Sequence, residues 1–310
     1  MESALPTYPA QPAAAAPAPL PFSHPLDFYR LRDFGQKTEA AAAFLRTYAR
    51  DLGPPLLLYA LPVLLFSGVL QGLGNHLQVG NGQHPSAIVG TLIERLGYLM
   101  LVAITGCFVR LRMYYPNRAA RPTPAETWAE TRSQLGVLIG RYFVAGLLLM
   151  GATLLLVLPG IYVGVPLSLL GAVMMIERPE SPIGRCFSLV EGHWWNSFAL
   201  AGLCWLLHLL VGGVPLMLLG TVVDLIGSPG AADSLAFNLT VNILSMLLLL
   251  VVTPALELLI LFHYFHLVEM REHPGLQLQA ELLGQEPLPE SRPGAADEPY
   301  APGFAPQAAY

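Results

Sequence analysis

Apolar and polar positions along this chain alternate in long blocks, not in single steps. Three stretches, 142–176, 197–223 and 234–256, contain no Asp, Glu, Lys or Arg. A helix that crosses a bilayer needs roughly 20 mainly apolar residues. One soluble core could not hide so many such runs in a chain of this size. The pattern therefore predicts an all-α, polytopic membrane bundle of six helices, with spans at about 54–73, 87–109, 141–158, 161–176, 197–226 and 237–266.

The breaks are set by proline and glycine. The run 142–176 is too long for one span, and Leu158-Pro159-Gly160 divides it into two. Gly53-Pro54-Pro55 opens the first span, where proline loses no hydrogen bond, and Pro62 predicts a kink within it. Pro166 lies near the start of the fourth span. Gly212-Gly213-Pro215 interrupts the fifth, and Pro254 lies inside the sixth.

Between the spans the period is that of amphipathic helices. Ala41, Phe44, Leu45 and Tyr48 recur at helical spacing, which predicts an interfacial helix over 26–51. Thr123-Pro124-Ala125-Glu126 is a capping box with proline at the first helical position, and leads into the third span. Ser181-Pro182 starts a third short helix with an apolar stripe of Ile183, Cys186, Phe187 and Val190; Gly192 stops it. Residues 1–25 and 271–310 are proline-rich and are expected to be disordered tails around a 52–270 membrane domain.

Composition sharpens this picture at one point. Only 12% of the residues are charged, and mean hydropathy is +0.53. The cations are arginines apart from Lys37, and their location matters more than the net charge of −5. If the N-terminus is cytoplasmic, the outer segments are 74–86, the Pro159-Gly160 turn and 227–234, none with Lys or Arg. Only Arg95, within a span, then departs from the positive-inside rule. This predicts a bacterial inner-membrane protein with both termini cytoplasmic. The three cysteines, Cys107, Cys186 and Cys204, match no metal or redox spacing and are expected to be free.

Leu158-Pro159-Gly160-Ile161-Tyr162, Glu177, Ser181-Pro182, Arg185-Cys186-Phe187-Ser188-Leu189 and Gly192-His193-Trp194-Trp195 together form a pattern over about 140–200. It resembles uncharacterised bacterial multi-pass membrane proteins, including the membrane region attached to some glycerophosphodiester phosphodiesterases. The resemblance implies architecture alone. The chain has no acidic and histidine cluster for a catalytic metal, so no catalytic residue carries over.

Ionisable groups inside a membrane are functional hypotheses by default. His208 and Glu257 lie at matched depths on spans five and six, and are expected to face each other. Such a pair serves either as a proton relay in a polar cavity or as an interhelical hydrogen bond. Glu94-Arg95 fits an outer vestibule or a snorkelling interfacial pair. His263, His266 and Glu269 share a helix face, but two histidines three apart lack a full ligand set, and no metal or cofactor is expected. Arg185, Trp194 and Trp195 fit contacts with lipid headgroups. No nucleotide loop, nucleophile elbow or nucleic-acid patch is present. Two classes of function remain. One is a non-enzymatic membrane or envelope component acting with lipids or a membrane partner. The other is a small-solute or lipid transporter with a midplane site at Glu257 and His208. A cavity at Glu257 would favour the transporter, and a tightly packed bundle the component.

Overall fold

The computed structural model describes residues 21–78, 83–114, 121–226 and 233–285, and among them there are helices and no strands. Six helical stretches are long and apolar enough to cross a membrane: Phe34–His76, Pro85–Tyr114, Pro124–Leu155, Val157–Ile176, Trp194–Val211 and Leu235–Glu272. The chain is thus an all-α membrane bundle. The tails 1–20 and 286–310 lie outside the described residues.

The N-terminal segment is built differently from the expectation. A short α1 (Pro25–Phe28) precedes α2 (Phe34–Pro55), which Asp33 caps through a capping box with Gln36. The face of α2 carrying Lys37, Ala41, Phe44, Tyr48 and Leu52 is buried against the bundle. Residues 21–25, expected to be part of a loose tail, are packed as well. Phe22 joins Phe28, Phe44 and Phe262 in an aromatic cluster, and Tyr48 donates its hydroxyl hydrogen bond to the Pro21 carbonyl. Such ring pairs contribute about 0.5–1.5 kcal/mol each beyond area burial.

Pro54 and Pro55 do not start a helix. The helix runs through them into a π turn, Leu56–Ala60, and on into α3 (Leu61–His76). Leu61 N–H donates to the Leu56 carbonyl, five residues back, immediately before Pro62. A proline lacks its own donor and its ring collides with the carbonyl four residues earlier. Slipping the ladder by one residue relieves that collision. The same device recurs in span five. α9 (Trp194–His208) passes through a π turn, Leu209–Gly213, into α10 (Val214–Ile226), and Val214 N–H donates to Leu209 just before Pro215.

Helix α4 (Pro85–Tyr114) packs on α3 and on α11 (Leu235–Glu272), which contains Pro254 without a break. Helix α5 (Pro124–Leu155) starts at the Thr123–Glu126 capping box, so the expected interfacial helix and third span are one helix. Its return turn is at Leu156, which is extended, three residues ahead of Pro159. Pro159 and Gly160 instead lie in the first turn of α6 (Val157–Leu167). Gly160 permits close contact with α5, since a Cβ there would stand 2.4 Å from Thr153 Oγ1. Pro166 falls near the end of α6, and a turn at Ser168–Leu169 separates it from α7 (Leu170–Ile176). The short helix α8 is Pro182–Val190, and Gly192 follows at φ +81°. Residues from Pro274 form α12 (Pro274–Gln285), where disorder was expected; Glu269 Oε2 accepts from Gly275 N–H and anchors its start.

Ion pairs gather the arginines at one end of the bundle. Glu130 on α5 meets Arg110 of α4 and Arg178 after α7, while Arg121 meets Asp51 of α2. Arg185 of α8 meets Glu177 and Glu272, and Arg271 meets Glu191. We call this the arginine-rich end.

Candidate functional site

Four helices and the α6–α7 turn leave a cavity of about 530 Å³ around Glu257. Its wall includes Tyr98 of α4, Tyr142 of α5, Ser168 at the α6–α7 turn, His208 of α9 and Thr253 of α11. Glu257 is 4% exposed, and no hydrogen bond satisfies its Oε1 among the described residues. Thr253, one turn earlier on the same face, likewise has a buried hydroxyl with no partner there. Buried polar atoms are nearly always paired, so two unsatisfied buried oxygens on residues that line one cavity are exceptions that call for a polar partner. Gly171 makes the approach possible, since a Cβ on it would stand 3.1 Å from Glu257 Oε1 and 3.0 Å from the Tyr142 hydroxyl.

A second cavity of about 330 Å³ adjoins the first and is lined by Gln71, Asn242 and Ser245 among others. Glu94, Trp205 and His208 line both, so they form the partition. Gln71 Nε2 donates to Glu94 Oε2 at 3.0 Å, which holds that carboxylate in the partition. Gln71 lies near the end of α3 and Asn242 near the start of α11, so the second cavity lies toward the arginine-poor end. The π turn after His208 supplies Leu209 and Gly213 to its wall. π turns inside α-helices often occur at functional sites.

His208 and Glu257 therefore line one cavity, with no hydrogen bond between them among the described residues. The aromatic and hydroxyl groups around them were not singled out in the sequence. Tyr98 is four residues after Glu94, and Thr253 four before Glu257, so helical spacing from each acid was the available signal.

The other sequence candidates have structural partners. His263 Nδ1 is 3.2 Å from Lys37 Nζ, and its Nε2 is 2.9 Å from Ser197 Oγ. A Lys37 ammonium donates to Nδ1, leaving Nε2–H to donate to Ser197, whose hydroxyl donates to the His193 carbonyl at 3.2 Å. His266 Nδ1 accepts from Arg32 N–H at 3.1 Å, and Glu269 holds Gly275. The three residues read together as a face thus serve three separate contacts. Arg32 is pushed down to about 10 by its own burial and by neighbouring Arg30.

Arg185 is held by protein carboxylates. Its Nε and Nη2 meet Glu177 at 2.7 and 2.8 Å, and Nη1 meets Glu272. The hydrogen bonds to Glu177 chiefly hold its guanidinium above the usual arginine range. Trp194 stacks on Tyr162 and Phe198, whereas Trp195 remains 74% exposed. Comparison with known proteins adds no relative to this geometry: no family model, no curated protein and no solved structure matches the chain.

Proposed function

We propose that the protein is a transporter of a small polar solute in a bacterial inner membrane, with both termini cytoplasmic, and that a proton on Glu257 is coupled to its passage. The observation that carries this reading is the Glu257 carboxyl group, buried, with one oxygen unsatisfied, facing a cavity of about 530 Å³. An interhelical hydrogen bond serving only as glue would have consumed that oxygen. Ionisable groups facing cavities within membranes are typical of proton and substrate pathways. His208 stands in the partition toward the outer cavity, where an imidazole can accept and release a proton. Beside the site span five is interrupted by a π turn ahead of Pro215, as in carriers that bind substrate near the midplane. In this reading membrane lipids surround the bundle, and a tightly packed envelope component would have no use for the two cavities.

The test uses full-length protein in liposomes that contain a pH-sensitive dye, with a potassium gradient and valinomycin driving proton entry. Wild-type protein is expected to acidify the lumen faster than Glu257→Gln. Equal rates for wild type, Glu257→Gln and protein-free liposomes would overturn the reading.

A further inference from the structure

Helices α5 and α6 are long and apolar enough to be parts of two spans. Their contacts place them otherwise. The turn between them is wholly apolar and turned away from the protein: Leu154, Leu155, Leu156, Val157 and Leu158 are 66–80% exposed. A turn emerging into water on the far side of a bilayer would expose five large aliphatic side chains there at heavy cost. The turn therefore stays in hydrocarbon, and the question is on which side.

The structure places α6 at the arginine-rich end. Trp194 Nε1 donates to the Tyr162 carbonyl at 3.3 Å, and the two rings stack at 5.8 Å. Leu158 and Pro159 share a cleft with Trp195, and Pro166 shares another with Glu191 and Gly192. Those partners are at the start of α9 and the end of α8. Glu191 pairs with Arg271 at 3.2 Å, next to Glu272, which meets Arg185, which meets Glu177. Ser197, one turn into α9, is bonded to His263, which faces Lys37.

Tyr162 thus stands beside one end of this belt, and Glu177, fifteen residues later, belongs to it. In a straight spanning helix fifteen residues cover about 22 Å. The chain avoids that separation by turning at Ser168–Leu169. Ser168 reaches the Glu257 cavity, and α7 then returns to Glu177. On either side of that turn, α6 through Tyr162 and α7 through Glu177 both contact the arginine-rich end. On the other limb of the hairpin, Arg141 of α5 donates to the Glu180 carbonyl at 3.0 Å, in the α7–α8 connection at that same end.

We infer that the α5–α6 hairpin is re-entrant: its apolar tip lies among the acyl chains of the leaflet at the arginine-rich side, and the chain crosses the bilayer through four stretches, α2–α3, α4, α9–α10 and α11. The count stays even, so the two termini still share a side. The inference is independent of transport, because it concerns where the hairpin tip lies.

The experiment uses full-length chain in native membranes. The Leu158→Cys/Trp195→Cys pair, and Ile161→Cys/Trp195→Cys as a second pair in the same cleft, are oxidised with copper phenanthroline. Both are expected to form intramolecular disulfides. A bimane label at Leu156→Cys is expected to be quenched by phosphatidylcholine spin-labelled on its acyl chain. Leu156→Cys is also exposed to a membrane-impermeant maleimide from the side that labels Gln83→Cys, and is expected to stay unlabelled. Labelling from that side, absence of both disulfides in protein that elutes as a single folded species, or absence of quenching would each overturn the inference.

Discussion

Replacing Glu177 by alanine removes one side chain from three interactions at once. Its Oε1 accepts from Arg185 Nη2 at 2.8 Å and from the Tyr264 hydroxyl at 2.7 Å, and its Oε2 accepts from Arg185 Nε at 2.7 Å. Hydrogen bonds to charged groups contribute about 1.5–3 kcal/mol each. The Arg185 and Glu177 side chains are 20% and 22% exposed, so their pair lies between the exposed limit of about 0–1 kcal/mol and the buried limit of about 3–5 kcal/mol. Arg185 also keeps Glu272. Tyr264 is fully buried and would lose the carboxylate that accepts from its hydroxyl, a cost of about 1–3 kcal/mol. The expected loss for Glu177→Ala is about 3 kcal/mol. At roughly 2–4 °C per kcal/mol for a bundle of this size, Tm falls by about 6–12 °C. Glu177→Gln keeps acceptors for Tyr264 and for one arginine nitrogen, and should lose about 1 kcal/mol. Thermal unfolding of purified protein in detergent reads both values. A double-mutant cycle with Arg185→Ala should return a coupling above about 1 kcal/mol. Tm values for Glu177→Ala and Glu177→Gln both within about 1 °C of wild type would refute the reasoning.

Gly171→Ala places a methyl 2.5 Å from Val102 Cγ1 and 3.1 Å from Glu257 Oε1; it should cost about 1–3 kcal/mol and slow proton entry, and an unchanged Tm would count against the close approach. Lys37→Ala leaves His263 Nδ1 without its partner, a loss of about 1–3 kcal/mol, and should speed amide hydrogen exchange along α2; unchanged exchange would show that α2 is held by its aromatic face alone. Cys186 is fully buried, and burial pushes its thiol up to about 12, so peptide mapping should find it unmodified by Ellman's reagent at pH 8 until detergent denaturation; full modification of folded protein would contradict its placement.

The apolar, uncharged runs located the membrane helices because length and lack of charge are what a bilayer selects. Direction within the membrane is a different matter. The run 142–176 says that its residues belong in hydrocarbon, and nothing in it says whether α5 and α6 cross or return. That is set by contacts of Tyr162 with Trp194 and of Arg141 with Glu180. Pro54-Pro55 has the local sequence of a helix start, but a neighbouring π turn lets α2 continue into α3. At the site, counting residues from the helix ends brought His208 and Glu257 to one cavity. Tyr98 and Tyr142 escaped notice because aromatic residues in apolar spans are usually core. The pairing of Lys37 with His263 joins positions 226 residues apart, beyond any local period.

The π turn at Leu209–Gly213 also fixes the phase of span five. It holds one residue more than a plain α-ladder would need over the same height. Each α-helical residue turns the chain by about 100°, since 3.6 make a full circle. Winding the same residues as a plain α-ladder would swing everything from Val214 to Ile226 by about that angle relative to His208, whereas deleting a single residue between Leu209 and Gly213 would restore the regular ladder and keep the phase. In the plain ladder span five would keep its composition and hydropathy, yet its outer half would present a different stripe to α11. A one-residue deletion in α9 is therefore a rotational lesion for the cavities, whereas the same deletion inside the π turn is absorbed.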